Sequence, residues 1–204
     1  MSKNFRDLTK SPEMRRAYQL DYSIRMISDI TTHYDEVVDS GLLLCARTML
    51  DVFFVHVRLL ADFLVRPTKA GVDFGPADFD IEWTAPQTPE AAALRDNWRT
   101  ASKYVVHFGL RRVPEDLEDL DAFEIGGQAF KAIAANGLTV FAEFIRRLET
   151  QTPAWSEEPR VPNKGTDPLL WQAKMLADRT TLLRDSFDEA CGKLGLDGET
   201  LRNP

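Results

Sequence analysis

The sequence predicts an all-α protein, an up-and-down helical bundle with an additional C-terminal helix. Five stretches carry apolar residues at the three- and four-residue spacing of a helix face, and no stretch alternates as a strand does. The 204 residues, 44% of them hydrophobic, suffice to bury one core. We divide the chain into a helical bundle domain at residues 1–150 and a linker plus C-terminal helix at residues 151–204, which packs on the bundle or on a second chain.

The first two helices are predicted from their ends. Ser11 is a good N-cap, Pro12 suits the first helical turn, and this helix continues to about Asp39. Gly41 marks a tight break before the second helix, which runs to about Val65. The second helix is apolar almost all round, as expected of a helix surrounded by others. One narrow stripe holds its charged residues, which are Arg47, Asp51, Arg58 and Asp62.

The remaining helices follow a long connection at residues 66–87, which contains three prolines and two glycines. Thr88 and Pro89 start the third helix, which carries a clean apolar seam that includes Trp98. The acidic run at residues 115–121 precedes a fourth helix. Pro168 starts the last helix, and Gly192 lies at its end, where glycine is favoured.

Composition and motifs exclude several classes of function. The net charge of −7 disfavours a protein that coats nucleic acid non-specifically. The chain has no P-loop, GxGxxG, GxSxG or HExxH motif, and its three histidines lack a metal-ligand spacing, so we predict no metal and no cofactor. Charged residues within the most apolar stretch, residues 41–65, argue against a membrane span. Two isolated cysteines and the lack of a signal-peptide pattern favour a cytoplasmic location.

Basic residues of the third predicted helix form a ridge on the side away from its apolar seam. At about 100° per residue, Arg99, Lys103 and His107 all face away from the core. Arg111 follows one turn later, with Arg112 beside it. Such a ridge can bind phosphate. A solvated helix face and a homodimer surface are the other interpretations.

His56 is predicted to be interior because it lies opposite the charged stripe, near Leu59 and Leu60. A neutral histidine bonded to a backbone carbonyl or a carboxylate is one interpretation, and a pH-sensitive or catalytic role is another. The charged stripe, which includes Arg58, is interpreted as a ladder of ion pairs on the helix surface. Acidic residues of the connections are interpreted as solvated charge, and both cysteines as inert thiols.

The chain resembles bacterial proteins with a HEPN-like fold over about residues 15–150. The segments that carry this resemblance are FFVHVRLLADFL at 53–64, DFGPADFDIEW at 73–83 and ASKYVVHFGLRR at 101–112. Many HEPN domains are dimeric, metal-independent ribonucleases of toxin–antitoxin and phage-defence systems, with an arginine a few residues before a histidine. His107 fits the histidine position, and the nearest upstream arginine is Arg99, with seven residues between them.

The resemblance implies a homodimer that cleaves RNA through the ribose 2′-OH. His107 would act as general base or acid, and Arg99, Lys103 or Arg111 would stabilise the charge of the phosphorane. An antitoxin or a regulatory protein would be a further partner. Two alternatives stay open: a non-catalytic dimeric interaction module, and a nucleotide or small-ligand binder that uses a pocket beneath the long connection. The candidate substrate-binding residues are Arg111, Arg112, His56 and Arg58.

Overall fold

The protein is an all-α bundle, as the sequence predicts. The computed structural model describes residues 12–67, 73–79, 81–102, 127–151 and 168–203. Within these residues there are six α-helices and no strand. The helices are α1 (Pro12–Asp39), α2 (Leu43–Val65), α3 (Pro89–Ala101), α4 (Gly127–Gln151), α5 (Pro168–Leu194) and α6 (Gly198–Arg202), and a 3-10 helix spans Pro76–Phe79.

Glycines in the left-handed conformation end α1 and α5. Gly41 has a φ of 74°, and its N–H donates to the Val38 carbonyl at 2.9 Å. The next N–H, that of Leu42, donates to the Val37 carbonyl at 3.3 Å, which completes a Schellman motif. Gly195, with a φ of 70°, ends α5 in the same way. A side chain would strain either position, so these glycines fix where the chain leaves the helix.

Polar caps set the start of α3 and of α6. The Thr88 side chain accepts a hydrogen bond from the N–H of Ala91, and Pro89 occupies the first helical turn. Asp197 accepts hydrogen bonds from the N–H groups of Glu199 and Thr200, both at 3.1 Å. The start of α3 is predicted from the sequence, whereas α6 is not, because it is too short to show an apolar period.

The five longer helices form a closed ring around one core. Each helix from α1 to α5 packs against the next, and α5 returns to α1, while α4 also contacts α1 and α2 across the centre. Each of the five contributes a side chain with no exposed surface to this core. These side chains are Ile24, Phe53, Leu94, Phe144 and Phe187.

The described part of the connection between α2 and α3 is anchored to the bundle. The ring of Phe79 packs edge-on against Phe144, with centroids 5.4 Å apart. Arg179 of α5, only 1% exposed, donates from Nη2 to the Phe79 carbonyl at 3.0 Å. Trp83 Nε1 donates to the Leu64 carbonyl at 2.7 Å. These contacts hold the connection against α2, α4 and α5.

The described helices do not surround the first half of α2, so the prediction from its apolar composition is wrong there. Leu43 and Leu44 are 67% and 80% exposed, and Val55 is 38% exposed. Leu59, predicted to be interior beside His56, is 43% exposed. The reason is that α1, α3 and α4 pack against the other sides of α2. Although α2 is strongly apolar, none of the described helices combines the length and the apolar character that a membrane span needs.

Candidate functional site

A cleft of about 450 Å³ lies between α1, the C-terminal half of α2 and the connection that follows it. This volume is within the range of about 300–1,000 Å³ that is typical of ligand pockets. The apolar wall consists of Leu20, Leu59, Phe63 and Phe74. The polar wall consists of Gln19, Ser23, Arg58, Asp62, Arg66 and Asp73.

Two arginines of the polar wall share one carboxylate. Asp62 Oδ2 lies 3.6 Å from Arg58 Nε, and Asp62 Oδ1 lies 3.1 Å from Arg66 Nη1. The spacing of four residues places all three side chains on one face of the helix end. A guanidinium carries five N–H donors, so one carboxylate does not use the donor capacity of both arginines.

Trp98 of α3 fixes this group from the side. Its indole Nε1 donates to Asp62 Oδ1 at 2.8 Å. The guanidinium carbon of Arg66 lies 3.9 Å from the Trp98 ring centroid, and that of Arg58 lies 5.8 Å from it. The indole thus positions the carboxylate by a hydrogen bond and the arginines by cation–π contact.

The formal charges of the polar wall sum to zero. Arg58 and Arg66 around Asp62 leave a local excess of one positive charge, and Asp73 brings the wall to neutrality. The cleft therefore offers guanidinium donors, carboxylate acceptors and apolar side chains within one lining. This arrangement suits a molecule with an acidic group and an apolar body.

His56 lies in the interior, as the helical period predicts, and Ser23 connects it to the cleft. His56 is 6% exposed, and its Nδ1 lies 3.2 Å from Ser23 Oγ. The single proton of the Ser23 hydroxyl is donated to the Gln19 carbonyl at 3.1 Å. In the bond between His56 and Ser23, the Nδ1–H of His56 is therefore the donor. The partner is a hydroxyl, where the sequence analysis expected a carbonyl or a carboxylate. Burial lowers the pKa of His56 below its ordinary 6.5, because a charged imidazolium is disfavoured away from water.

The structure describes three of the seven predicted site residues. It brings His56 and Arg58 close to the cleft. Arg58 lines the cleft together with Ser23, and Ser23 accepts a hydrogen bond from the buried His56. Arg99 is elsewhere: its side chain is 68% exposed, and its Nη1 lies 2.6 Å from Asp96 Oδ1. The predicted residues that fall outside the described ranges are Lys103, His107, Arg111 and Arg112.

The sequence did not single out Arg66 and Ser23, which line the cleft, or Trp98, which contacts its two arginines. Arg66 follows Asp62 by four residues, a spacing that indicates an ion pair on a helix, but it was assigned to the connection after the helix. Trp98 was assigned to the apolar seam of its helix, and Ser23 carried no signal at all. No local pattern pairs residues 23 with 56, or 62 with 98, because these contacts depend on how the helices pack.

The described residues hold no metal-type cluster, and comparisons with known proteins give no match. Across the described ranges, no three His, Cys, Asp or Glu side chains lie together as a metal ion would require. Comparison of the chain with family models, with curated proteins and with solved structures gives no match. The HEPN-like resemblance therefore stays a prediction from the sequence.

Proposed function

We propose that the protein binds a small molecule with an acidic group and an apolar body in this cleft. The observation that carries the proposal is the pair Arg58 and Arg66, held on one carboxylate beside a wall of apolar side chains. Phosphate and carboxylate groups accept parallel N–H bonds from guanidinium groups. Leu20 and Phe74 provide apolar surface for the remainder of the ligand. Adenosine monophosphate (AMP) is a suitable probe because it joins a phosphate to an aromatic base whose faces can pack on apolar side chains.

Titration calorimetry of the full chain with AMP tests this proposal. We expect saturable binding, and an affinity at least about tenfold lower in Arg58→Gln, since a hydrogen bond to a charged group contributes roughly 1.5–3 kcal/mol. Arg146→Gln is the matched control. Arg146 is an arginine of α4 that pairs with Glu143 and does not line the cleft, so its variant is expected to bind as the wild type does.

Two results would contradict the proposal. Absence of binding with AMP, inorganic phosphate and benzoate would refute a site for acidic ligands in the cleft. Equal affinities of Arg58→Gln and wild type would refute the role of the arginine pair. Circular dichroism at 222 nm shows whether each variant keeps its helices.

On the sequence resemblance alone we also propose a metal-independent ribonuclease reaction, with an RNA substrate and an antitoxin or regulatory partner. A cytoplasmic location is proposed from the two isolated cysteines. The central residue of the ribonuclease reaction, His107, falls outside the described ranges. The test is cleavage of a mixed RNA pool in EDTA by the wild type and by His107→Ala. Cleavage that disappears in the variant would support the reaction, and an inert, folded wild type would refute it.

We further propose that the protein forms a homodimer. The exposed apolar side chains of α2, among them Leu44 and Val55, support this proposal because they would be buried against a second copy. Sedimentation velocity across a concentration series measures the oligomeric state. A single monomer peak at every concentration would refute the homodimer.

A further inference from the structure

The large apolar side chains that are exposed in the described ranges are concentrated on two neighbouring helices. All of them lie on α1, on α2 or in the turn between these helices. Scattered exposed apolar residues are ordinary on a protein surface, whereas their concentration marks an interaction surface. The residues are Tyr22, Val38, Leu42, Leu43, Leu44, Val55 and Leu59.

On α2, exposed residues follow the spacing of a helix–helix seam. Leu44, Thr48, Asp51 and Val55 are all exposed and are separated by four, three and four positions. At about 100° per residue they fall within roughly 60° of one another around the helix. This is the spacing of the a and d positions through which one helix packs along another.

The same seam is symmetric about its own midpoint, which lies between Met49 and Leu50. A twofold axis through this point requires a surface that is complementary to itself. In an antiparallel pair about such an axis, Leu44 lies level with Val55 of the second copy. Thr48 lies level with Asp51 of the second copy, and its hydroxyl donates within its own helix to the Leu44 carbonyl at 2.9 Å.

Charge selects the antiparallel orientation. Arg47 is exposed and flanks the seam, about 60° from Leu44. In the antiparallel pair it comes within one residue of Asp51 of the second copy, a rise of about 1.5 Å that a long arginine side chain can span. The twofold axis generates this ion pair twice. A parallel pair in register would instead place the two Asp51 carboxylates side by side.

We propose that α2 packs antiparallel against α2 of a second copy of this chain, with Arg47 paired to Asp51 across the twofold axis. This inference rests on the proposed homodimer and gives it a surface and an orientation. Leu44 and Val55 form the apolar contacts. Leu59, which also lines the cleft, comes level with the α1–α2 turn of the second copy, so each cleft opens beside the interface.

Charge reversal on the full chain tests the orientation, with sedimentation velocity as the measurement. Arg47→Glu and Asp51→Arg each replace two opposite-charge pairs by two like-charge pairs, and we expect each to raise the dimer dissociation constant about tenfold or more. The double variant restores opposite charges and is expected to dimerise as the wild type does. Arg184→Glu, on α5, is the control and is expected to leave the dissociation constant unchanged.

The outcomes separate this inference from the homodimer itself. A wild type that is monomeric at every concentration refutes both. A dimer whose dissociation constant is unchanged in both single variants refutes the α2 surface and leaves the homodimer standing. If a charge reversal unfolds the chain by circular dichroism, Thr48→Arg replaces it, because Thr48 is exposed in the same seam and the same loss of dimer is expected.

Discussion

Replacing Ser23 by alanine is expected to destabilise the fold through His56. Ser23 is 2% exposed, and its Oγ receives the Nδ1–H of His56 at 3.2 Å. The variant leaves this ring nitrogen buried without its partner, which costs about 1–3 kcal/mol. Alanine is the better helix former and returns roughly 0.5 kcal/mol. The net loss lowers the unfolding midpoint by roughly 2–4 °C for each kcal/mol in a chain of this size.

Ser28→Ala is the matched control for this prediction. Ser28 lies on the same helix, is 1% exposed and donates from its Oγ to a backbone carbonyl of that helix, as Ser23 does. Both variants gain the same helix propensity, so the difference between them isolates the contact with His56. Urea denaturation followed by circular dichroism measures both free energies of unfolding. Equal values for the two variants would refute the structural role assigned to the Ser23–His56 bond.

Three further predictions concern single residues. Because burial lowers the pKa of His56, the unfolded chain takes up a proton before the folded chain does, so the free energy of unfolding is expected to fall as the pH drops below about 6.5. Urea denaturation at several pH values should show a flatter pH dependence of this free energy in His56→Gln than in the wild type. Identical pH dependences would contradict this account. Burial raises the pKa of the Cys191 thiol to about 12, whereas Cys45 is exposed. A thiol reagent at pH 8 is therefore expected to label Cys45 rapidly and Cys191 slowly in the folded chain. Rapid labelling of both cysteines would contradict this expectation. Phe144→Ala removes a fully buried ring that contacts Phe63, Phe79 and Trp83. The free energy of unfolding is expected to fall by about 3–5 kcal/mol, and a loss below about 1 kcal/mol would argue against this packing.

The sequence predicted the helices well where their ends carry local chemistry. Pro12 and Pro89 each begin a helix as expected, and Gly41 separates α1 from α2 because its backbone adopts a positive φ. The interior position of His56 also followed from the period of α2, since a helix repeats every 3.6 residues. These features depend on residues that are close in the chain.

The features that the sequence did not predict depend on packing between distant segments. Leu59 and Leu60 are adjacent, yet Leu60 is 1% exposed and Leu59 is 43% exposed, because α1, α3 and α4 pack against the side of α2 that carries Leu60. The contact of Trp98 with Asp62 joins two helices separated by a long connection. Composition alone could not show which face of an apolar helix remains uncovered. Nor could it show that Arg66, at the end of α2, lines a cleft.

The central claim is that an acidic ligand binds at the arginine pair of the cleft. The indole N–H of Trp98 is a direct reporter, because it donates to the carboxylate that holds both arginines. A ¹H–¹⁵N spectrum recorded during titration with AMP measures it, with the Trp98 signal assigned from Trp98→Phe. We predict a saturable shift of the Trp98 indole signal that exceeds the shift of the Trp83 indole signal. A saturable shift at Trp83 with Trp98 unmoved, or no indole shift at any concentration of AMP, would contradict the claim.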